Sequence, residues 1–263
     1  MARSRRQGPT PSDPIEAIVT LAQDLDLTTA AMVLPTLLEE AVIQSPSYTE
    51  FAHAFLTAEV NARRERSLQR GLSRSRLGTV QGVDDFDFSA RPQLDARVVR
   101  ELLHCRYVAE KRNVLCLGGP GLGKTRIAKA IVFAACTTGY TTLAVRAVEM
   151  IEDLHASHVD GTFRRTLRKY VKPDVLLIDE FGHQPFDQQG TNYLFRVVSQ
   201  RHKQGATVLT ANTGFSKWKS FFPTEVHAAA AVDRLVDDAT ILRFTGRSFR
   251  QPREIVGAEL DSD

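Results

Sequence analysis

Hydrophobic positions in the first quarter of the chain recur at three- and four-residue spacing. The segments IEAIVTLAQDL, AAMVLPTLLEEAVI and YTEFAHAFLTAEVNARRERSLQRGL follow this spacing, which is typical of helices with one apolar face. Ser12, Asp13 and Ser47 stand where such helices would begin. No alternating strand pattern occurs here, so we predict a small all-helical domain over residues 15–76. Residues 1–14, rich in Arg, Pro and Ser, are predicted to form a disordered basic tail.

The pattern changes after residue 112, where short apolar runs alternate with helical segments. Strands are predicted over 113–119, 141–147, 174–180, 206–212 and 239–246. Helices are predicted over 125–139, 188–204 and 225–238, and between the second and third strands to about residue 171. Continuous apolar strands between helices predict an α/β fold of three αβα layers, with a parallel sheet covered on both faces. Residues 77–93 are predicted to be a linker that docks through Phe86 and Phe88, ahead of a second domain over 94–263.

Composition and charge bear on the binding partner and the cellular compartment of the protein rather than on its reaction. The 263 residues carry a net charge of only +3, yet residues 61–76 hold six arginines and one acid. Such a cluster suggests contact with a polyanion, nucleic acid above all, although a solvated helix face explains it equally well. Three cysteines are too few for a disulfide framework. With no apolar run of 18 residues and no signal-peptide h-region, we expect a cytoplasmic protein without a membrane segment.

The clearest chemical motif is GGPGLGKT, which matches G-x-x-x-x-G-K-[ST] between a predicted strand and a predicted helix. Its glycines allow backbone N–H groups to point at phosphates, and the helix N-terminus adds its positive dipole end. Lys124 is expected to reach the β- and γ-phosphates, and the Thr125 hydroxyl is expected to ligate Mg²⁺. The expected ATP-binding residues are Gly118, Gly119, Pro120, Gly121, Leu122, Gly123, Lys124, Thr125 and Arg126.

A second chemical signal is the apolar strand LLIDE, which ends in Asp179 and Glu180. Ligands bind at the carboxyl ends of strands in an open parallel sheet, so both acids should lie near the phosphates. We expect Asp179 to hold Mg²⁺ and Glu180 to act as the general base on the attacking water. Asn212 ends the strand ATVLTAN and is a candidate for orienting that water or sensing the γ-phosphate. An ordinary turn asparagine is the alternative interpretation.

Several segments together resemble the IstB family of transposition helper ATPases. They are GGPGLGKT, LLIDEFGHQPFD, LTAN, FFPTEVHAAAAVDRL and FTGRSFR, in this order and with these gaps. That family is a close relative of the DnaC helicase loaders within the AAA+ ATPases, and the resemblance covers about residues 15–252. It implies a P-loop AAA+ domain behind the helical domain, without the full helical lid of larger AAA+ proteins.

The resemblance also implies partners. Proteins of this family accompany a DDE transposase of the IstA type and bind duplex DNA with little sequence preference. They form homo-oligomers with ATP and DNA, select and remodel the target, and stimulate the transposase. Their helical domain mediates self-association and transposase contact. We therefore expect the same for residues 15–76, although residues 63–76 could touch DNA instead.

The resemblance also implies roles for residues at the positions that match the family's functional residues. Arg234 matches the arginine finger that acts in trans, and Asn212 matches the first sensor. Arg247 and Arg250 are candidates for a second sensor. The expected DNA contacts, in a helical insertion between the second and third strands, are Arg164, Arg165, Arg168 and Lys169. For Arg234 the alternative is a surface helix arginine paired with an acid at 237 or 238.

Other functions stay open on the sequence alone. A replicative helicase loader of the DnaC type has the same fold and differs in its partner. A P-loop kinase acting on a small molecule is disfavoured by Glu180 and by the missing substrate lid. A DNA-binding scaffold that uses ATP only to assemble would need no general base, so Glu180→Gln distinguishes it from a hydrolase.

Overall fold

The described chain of the computed structural model comprises residues 13–223 and 225–249. It divides into two compact units, with the boundary between Arg70 and Gly71. Residues 1–12 of the predicted basic tail lie outside the described residues. Asp13 and Pro14, predicted as part of that tail, begin the first helix, because the Asp13 carboxylate accepts a hydrogen bond from the Ile15 N–H at 2.9 Å.

The first unit is helical, as the spacing of its apolar residues predicts. Its helices are α1 (Pro14–Asp24), α2 (Thr28–Gln44) and α3 (Tyr48–Ser75), and the unit boundary falls within α3. Helix α3 begins with a reciprocal cap. The Glu50 N–H donates to the Ser47 hydroxyl, and the Glu50 carboxylate accepts from the Ser47 N–H. These local caps explain why the starts of α1 and α3 could be predicted from the sequence.

The second unit contains a five-stranded parallel sheet, and all five predicted strands are present. The strands are β1 (Val114–Gly118), β2 (Thr142–Arg146), β3 (Val175–Phe181), β4 (Ala206–Ala211) and β5 (Thr240–Phe244). Their order across the sheet is β2-β3-β4-β1-β5. Strand β4 therefore lies between β3, which carries the two acids, and β1, which leads into the glycine-rich loop.

Helices cover both faces of this sheet, so the predicted three-layer α/β fold is confirmed. The helices are α4 (Ala96–Leu103), α5 (Arg106–Ala109), α6 (Lys124–Thr137), α7 (Ala147–Val159), α8 (Phe163–Val171), α9 (Gln188–Arg201) and α10 (Glu225–Val236), with a 3-10 helix at Phe215–Phe221. Alternate strand residues enter different cores: Leu177 packs with the cluster under α4 and α6, and Leu176 packs with the cluster under α7 to α10.

The segment of residues 77–93, predicted as a linker, lies within the second unit and packs into its core. Leu77, Val83 and Phe86 are buried in the same cluster as α6, and Phe88 packs against that cluster. We call residues 77–93 the docking segment below. Its burial brings it to the glycine-rich loop, where it takes part in the site described next. No helix in the described part of the chain is both long and apolar enough to cross a membrane.

Candidate nucleotide site

The glycine-rich loop, residues 118–125, connects β1 to α6 and is called the phosphate loop below. Gly123 precedes α6 with φ +92°, and a Cβ there would lie 2.6 Å from the Phe86 ring, so glycine is required both by conformation and by space. Lys124 is buried, and its Nζ donates to the Gly119 carbonyl at 2.6 Å. The loop is thus a compact turn of backbone N–H groups at a helix start, a geometry suited to phosphate.

Two residues predicted to hold Mg²⁺ lie in direct contact. The Thr125 hydroxyl, on the first turn of α6, donates to Asp179 Oδ1 at the end of β3, at 2.9 Å. These residues are 54 positions apart in the chain. The contact joins the phosphate loop to the acidic strand, and it presents one hydroxyl and one carboxylate at the same point. Hard oxygen donors of this kind are the ligands that Mg²⁺ prefers.

Glu180, the predicted general base, lies beside this pair in an unusual backbone conformation. Its φ is +58°, in the left-handed region that non-glycine residues seldom adopt, and its side chain is exposed. The cause is a bulge in β3. Ile178 pairs with Leu209 and Phe181 with Ala211, so Asp179 and Glu180 together face a single residue of β4. The bulge leaves the two successive acids at the carboxyl edge of the sheet.

That single residue is Thr210, which sequence reasoning missed. Its hydroxyl donates to Asp179 Oδ1 at 2.5 Å and accepts from the Glu180 N–H at 3.0 Å. Thr210 is buried in β4, between the strand of the acids and the strand of the phosphate loop. One hydroxyl therefore fixes both acids. The only sequence signal was a threonine at an otherwise apolar position of a buried strand.

Asn212, the predicted sensor, follows the last residue of β4 and is half-buried. Since parallel strands end at one edge of the sheet, it lies at the same edge as Asp179 and Glu180. Its place is compatible with a contact to a bound phosphate, and its role stays a prediction.

The docking segment and residues 245–249 enclose the outer side of the phosphate loop. Arg91, which is fully buried, donates from Nε to the Leu122 carbonyl at 2.9 Å, and its guanidinium lies 3.9 Å from the centre of the Phe249 ring. The Phe249 N–H donates to the Gly121 carbonyl at 2.9 Å. Burial lowers the pKa of Arg91 from its ordinary value. Sequence reasoning also missed Arg91, because it lies in a segment without regular structure.

Arg234 lies in the last turn of α10, far from the phosphate loop of its own chain. It is half-buried, its Nη1 donates to the Ala230 carbonyl at 3.0 Å, and its guanidinium lies 4.9 Å from the centre of the Phe195 ring. Its own carbonyl accepts from the Asn113 amide at 3.3 Å. Asn113 immediately precedes β1, whose far end begins the phosphate loop, and a strand of this length spans about 16 Å.

The alternative pairing of Arg234 with an acid is not present among the described residues, where its guanidinium forms no ion pair. The Asp237 carboxylate instead hydrogen-bonds to His202 at 2.8 Å and pairs with Lys203 at 3.3 Å. Helix α10 leads directly into β5, the edge strand of the sheet. The expected place of Arg234 at the edge of the sheet, from which it would reach a neighbouring subunit, stays a prediction.

The basic cluster of Arg164, Arg165, Arg168 and Lys169 lies on α8, between β2 and β3. The three arginines are exposed, whereas Lys169 pairs with Asp153 of α7 at 2.7 Å. The end of α8 is fixed by a residue that sequence reasoning did not identify. Arg201, almost fully buried, donates to the carbonyls of Tyr170 at 3.1 Å and Val171 at 2.9 Å. Burial lowers the pKa of Arg201 to about 10.

The comparison with known proteins decides the family. Residues 20–255 match the family described as IstB-like ATP binding protein. The chain belongs to this family. It is 35% identical over 225 residues to the protein named as the ATP-binding protein of insertion sequence IS5376 of Geobacillus stearothermophilus, covering 86% of this chain and 90% of that protein. It is 34% identical over 215 residues to the corresponding protein of insertion sequence IS21 of Pseudomonas aeruginosa, covering 82% and 81%.

The fold of this IstB-like protein is also found in a solved helicase loader. The crystal structure of the DnaC helicase loader superposes with a TM-score of 0.50 at 17% identity, covering 65% of this chain and 97% of that one. At this identity the likeness concerns the fold alone. The predicted likeness of fold to the DnaC helicase loaders is thereby confirmed.

The predicted residues of the IstB-like chain fall into three groups by position. Those of the phosphate loop, with Asp179, Glu180 and Asn212, gather at the carboxyl edge of the sheet. Arg234 and the basic cluster of α8 lie elsewhere on the unit. Arg247 is exposed in the chain after β5, and Arg250 lies outside the described residues. The second-sensor assignment therefore stays a prediction for both arginines.

Proposed function

We propose that this IstB-like protein is an AAA+ ATPase that hydrolyses ATP with Mg²⁺ while assembled as a homo-oligomer on duplex DNA. In this role it would select and remodel the target of a DDE transposase of the IstA type and stimulate that transposase. The observation that carries the proposal is the hydrogen bond between Thr125 and Asp179, 2.9 Å long. It brings together a hydroxyl and a carboxylate of the kinds that hold a phosphate-bound metal ion, which supports the proposal.

The residues present fit a magnesium ion. In the described part of the chain no three His, Cys, Asp or Glu side chains form a metal cage of their own. Mg²⁺ seldom uses such a cage, because it keeps several waters and binds through one or two protein oxygens plus substrate phosphates. Thr125 and Asp179 would supply those oxygens. When bound, the ion neutralises charge that develops on the β- and γ-phosphate oxygens.

The chain's own groups divide the chemical work. The N–H groups of the phosphate loop and the Lys124 ammonium hold the β- and γ-phosphates. The exposed carboxylate of Glu180 accepts a proton from the attacking water, and Asn212 orients that water or the γ-phosphate. Thr210 fixes the positions of Asp179 and Glu180 relative to each other through its two hydrogen bonds. Arg234 supplies positive charge to the ATP of a neighbouring subunit, since its backbone lies at the opposite end of β1 from its own loop.

The relatives support the choice of partner. The two relatives above are named as ATP-binding proteins of insertion sequences. The exposed arginines of α8 are suited to phosphate contacts that do not read sequence, which a target selector needs. We propose the cytoplasm as the setting, where the three buried free thiols would stay reduced.

Hydrolysis and its catalytic base are tested by turnover with and without duplex DNA. Wild-type protein should hydrolyse ATP faster with duplex DNA, and Glu180→Gln should lose about 10²- to 10⁴-fold of that rate while retaining ATP affinity. Glu101→Gln, an exposed carboxylate on α4 across the sheet, serves as the matched control and should keep full turnover. Unchanged turnover in Glu180→Gln would mean that Glu180 is not the base, and background turnover in both proteins would favour a scaffold that uses ATP only to assemble.

Assembly and partner are tested separately. Electron microscopy with duplex DNA should show multimers with ATP and none with ADP, and an absence of ATP-dependent multimers would contradict the oligomeric part of the proposal. Immobilised protein should retain the transposase rather than a hexameric helicase. Retention of the helicase alone would favour the loader function.

A further inference from the structure

Asn113 is a buried amide at the amino end of β1 that connects four elements. Its Nδ2 donates to the carbonyls of Leu235 at 3.1 Å and Arg234 at 3.3 Å, both at the end of α10. Its Oδ1 accepts from the N–H of Thr207 in β4 at 2.9 Å. Its own carbonyl accepts from the N–H of Thr240, the first residue of β5, at 2.9 Å. One residue therefore holds the starts of three strands and the end of a helix.

The contact with α10 has a specific chemical reason. The last carbonyls of a helix have no intrahelical partner, and burying them unpaired is costly. The Asn113 amide supplies a donor to two of them, and it is 8% exposed, so water competes little for these carbonyls. A carboxylate in the same place would present a negative oxygen to the two carbonyls and would repel them. The identity of the side chain at 113 therefore matters for where α10 ends.

This contact also sets where Arg234 lies relative to the phosphate loop. One of the two carbonyls that Asn113 binds belongs to Arg234 itself. Asn113 directly precedes β1, which runs from Val114 to Gly118, the first residue of the loop. Strand β1 is paired on both sides, with β4 and with β5, which makes it a stiff spacer. A change in the Asn113 contact would shift Arg234 while leaving the phosphate loop, at the other end of the strand, in place.

We propose that Asn113 is a positioning residue for Arg234. By fixing the end of α10, it holds Arg234 where its guanidinium can reach the ATP of the neighbouring subunit. The inference rests on the proposed function of Arg234 as a finger in trans. Asn113 does not touch nucleotide, since it lies at the end of β1 remote from the phosphate loop. Asn113 therefore affects ATP turnover in the adjacent subunit, by fixing where its own subunit presents Arg234.

The test uses Asn113→Asp, which retains the acceptor for the Thr207 N–H and loses the donor to α10. The full-length variant should bind ATP as tightly as wild type and show about 10- to 100-fold less DNA-stimulated turnover, the loss expected from misplacing a catalytic group by about 1 Å. If Asn113→Asp has a lowered melting temperature or binds ATP weakly, Asn113→Ala replaces it in each experiment, because alanine brings no charge to the two carbonyls.

Mixed oligomers separate positioning of the finger from damage to the active site. An equimolar mixture with Glu180→Gln, which cannot hydrolyse but has a well-placed Arg234, should restore turnover to the Asn113→Asp subunits severalfold. Mixing Asn113→Asp with Arg234→Ala should restore nothing. Wild-type turnover in Asn113→Asp, or a loss that Glu180→Gln does not repair, overturns the inference.

A parallel mixture tests the finger itself, so the two failures can be told apart. Arg234→Ala alone should keep its fold and its ATP affinity and lose roughly 10³-fold or more of DNA-stimulated turnover. Glu180→Gln should restore part of that loss. If Arg234→Ala retains wild-type turnover, the finger assignment fails. If Arg234→Ala behaves as expected and Asn113→Asp does not, only the positioning role of Asn113 fails.

Discussion

At the scale of single residues, the two acids of β3 depend on a hydroxyl that belongs to another strand. Asp179 and Glu180 face one residue of β4 at the bulge, and Thr210 there both donates and accepts a hydrogen bond. A left-handed φ of +58° at Glu180 carries a conformational cost, so surrounding contacts must hold it. The Thr210 hydroxyl is the side-chain contact that does so. It is thus a positioning group for the proposed metal ligand and base together.

Replacing Thr210 by valine removes that hydroxyl and keeps the shape of the side chain. We expect Thr210→Val to lower ATP turnover about 10- to 100-fold, because general-base catalysis depends on placement, while ATP affinity changes little. Steady-state turnover and equilibrium nucleotide binding measure the two effects. Thr210→Ser, which keeps the hydroxyl, should stay near wild type. A valine variant with normal turnover would mean that the bulge holds Glu180 without the hydroxyl.

At the scale of elements, helix α2 begins without a local cap, and a side chain of α3 caps it instead. Leu27 precedes α2 and has no side chain able to accept a hydrogen bond. The Glu59 carboxylate of α3 instead accepts from the N–H groups of Thr29 at 2.7 Å and Ala30 at 3.1 Å. Its other oxygen accepts from Arg63 at 2.8 Å. A remote side chain therefore satisfies the first donors of α2, and no pattern within α2 reveals it.

This cap gives the helical unit a dependence on acid. The hydrogen bond from Arg63, followed by those from the N–H groups of α2, lowers the pKa of Glu59 from its ordinary 4.5 to about 2. Because the folded pKa lies below the unfolded one, the stabilisation is fully present above about pH 4.5 and is lost as the pH falls toward 2. Glu59→Gln should therefore be less stable than wild type at pH 7, and this difference should shrink below pH 4.5.

Urea unfolding of the full chain, followed by helical circular dichroism from pH 7 to pH 3, measures that difference. Glu65→Gln, the same change on the exposed side of α3, is the matched control and should give nearly wild-type curves at each pH. A gap between wild type and Glu59→Gln that is unchanged at pH 3 would show that the carboxylate charge does not act at this cap.

At the scale of the whole molecule, the residues proposed to be functional lie at different ends and on different faces of the sheet of the second unit. The phosphate loop and the acids lie at the carboxyl edge, whereas the backbone of Arg234 lies at the amino end of β1. The basic cluster of α8 lies on the sheet face covered by α7 to α10, and α4 lies on the opposite face. The backbone of Arg234 thus lies about one strand length from the phosphate loop of its own chain, which supports the proposed assembly.

The proposed DNA contact of α8 can be tested by comparing the two faces of the sheet. Arg164→Gln with Arg165→Gln should weaken binding to any duplex and lower the slope of log affinity against log salt by about two, one for each lost phosphate contact. Arg97→Gln with Arg100→Gln removes equal charge from α4 on the other face and should leave the slope near wild type. Binding titrations across salt concentrations give both slopes. Equal losses in the two double variants would mean that only net charge matters.

The amino-acid sequence by itself determined the elements and the local chemistry of this protein. Five apolar strands, the phosphate loop and the acids ending β3 could all be predicted, because each depends on the periodicity or motif of one short segment. The phosphate loop and Asp179 were expected to meet because parallel strands present their carboxyl ends at one edge. The helical first unit followed from spacing and, for α1 and α3, from caps within a few residues of the helix start.

Only the tertiary structure decided which remote residues complete those elements. Thr210 contacts Asp179 from 31 positions away because β4 lies between β3 and β1, and strand order is fixed by packing of the whole sheet rather than by any one segment. Asn113 reaches Arg234 across 121 positions, and Arg91 reaches Leu122 across 31. Each is a buried polar side chain whose partner is a backbone or side-chain group of a distant segment. Burial forces such a group to find a partner, and the fold alone determines which one it finds.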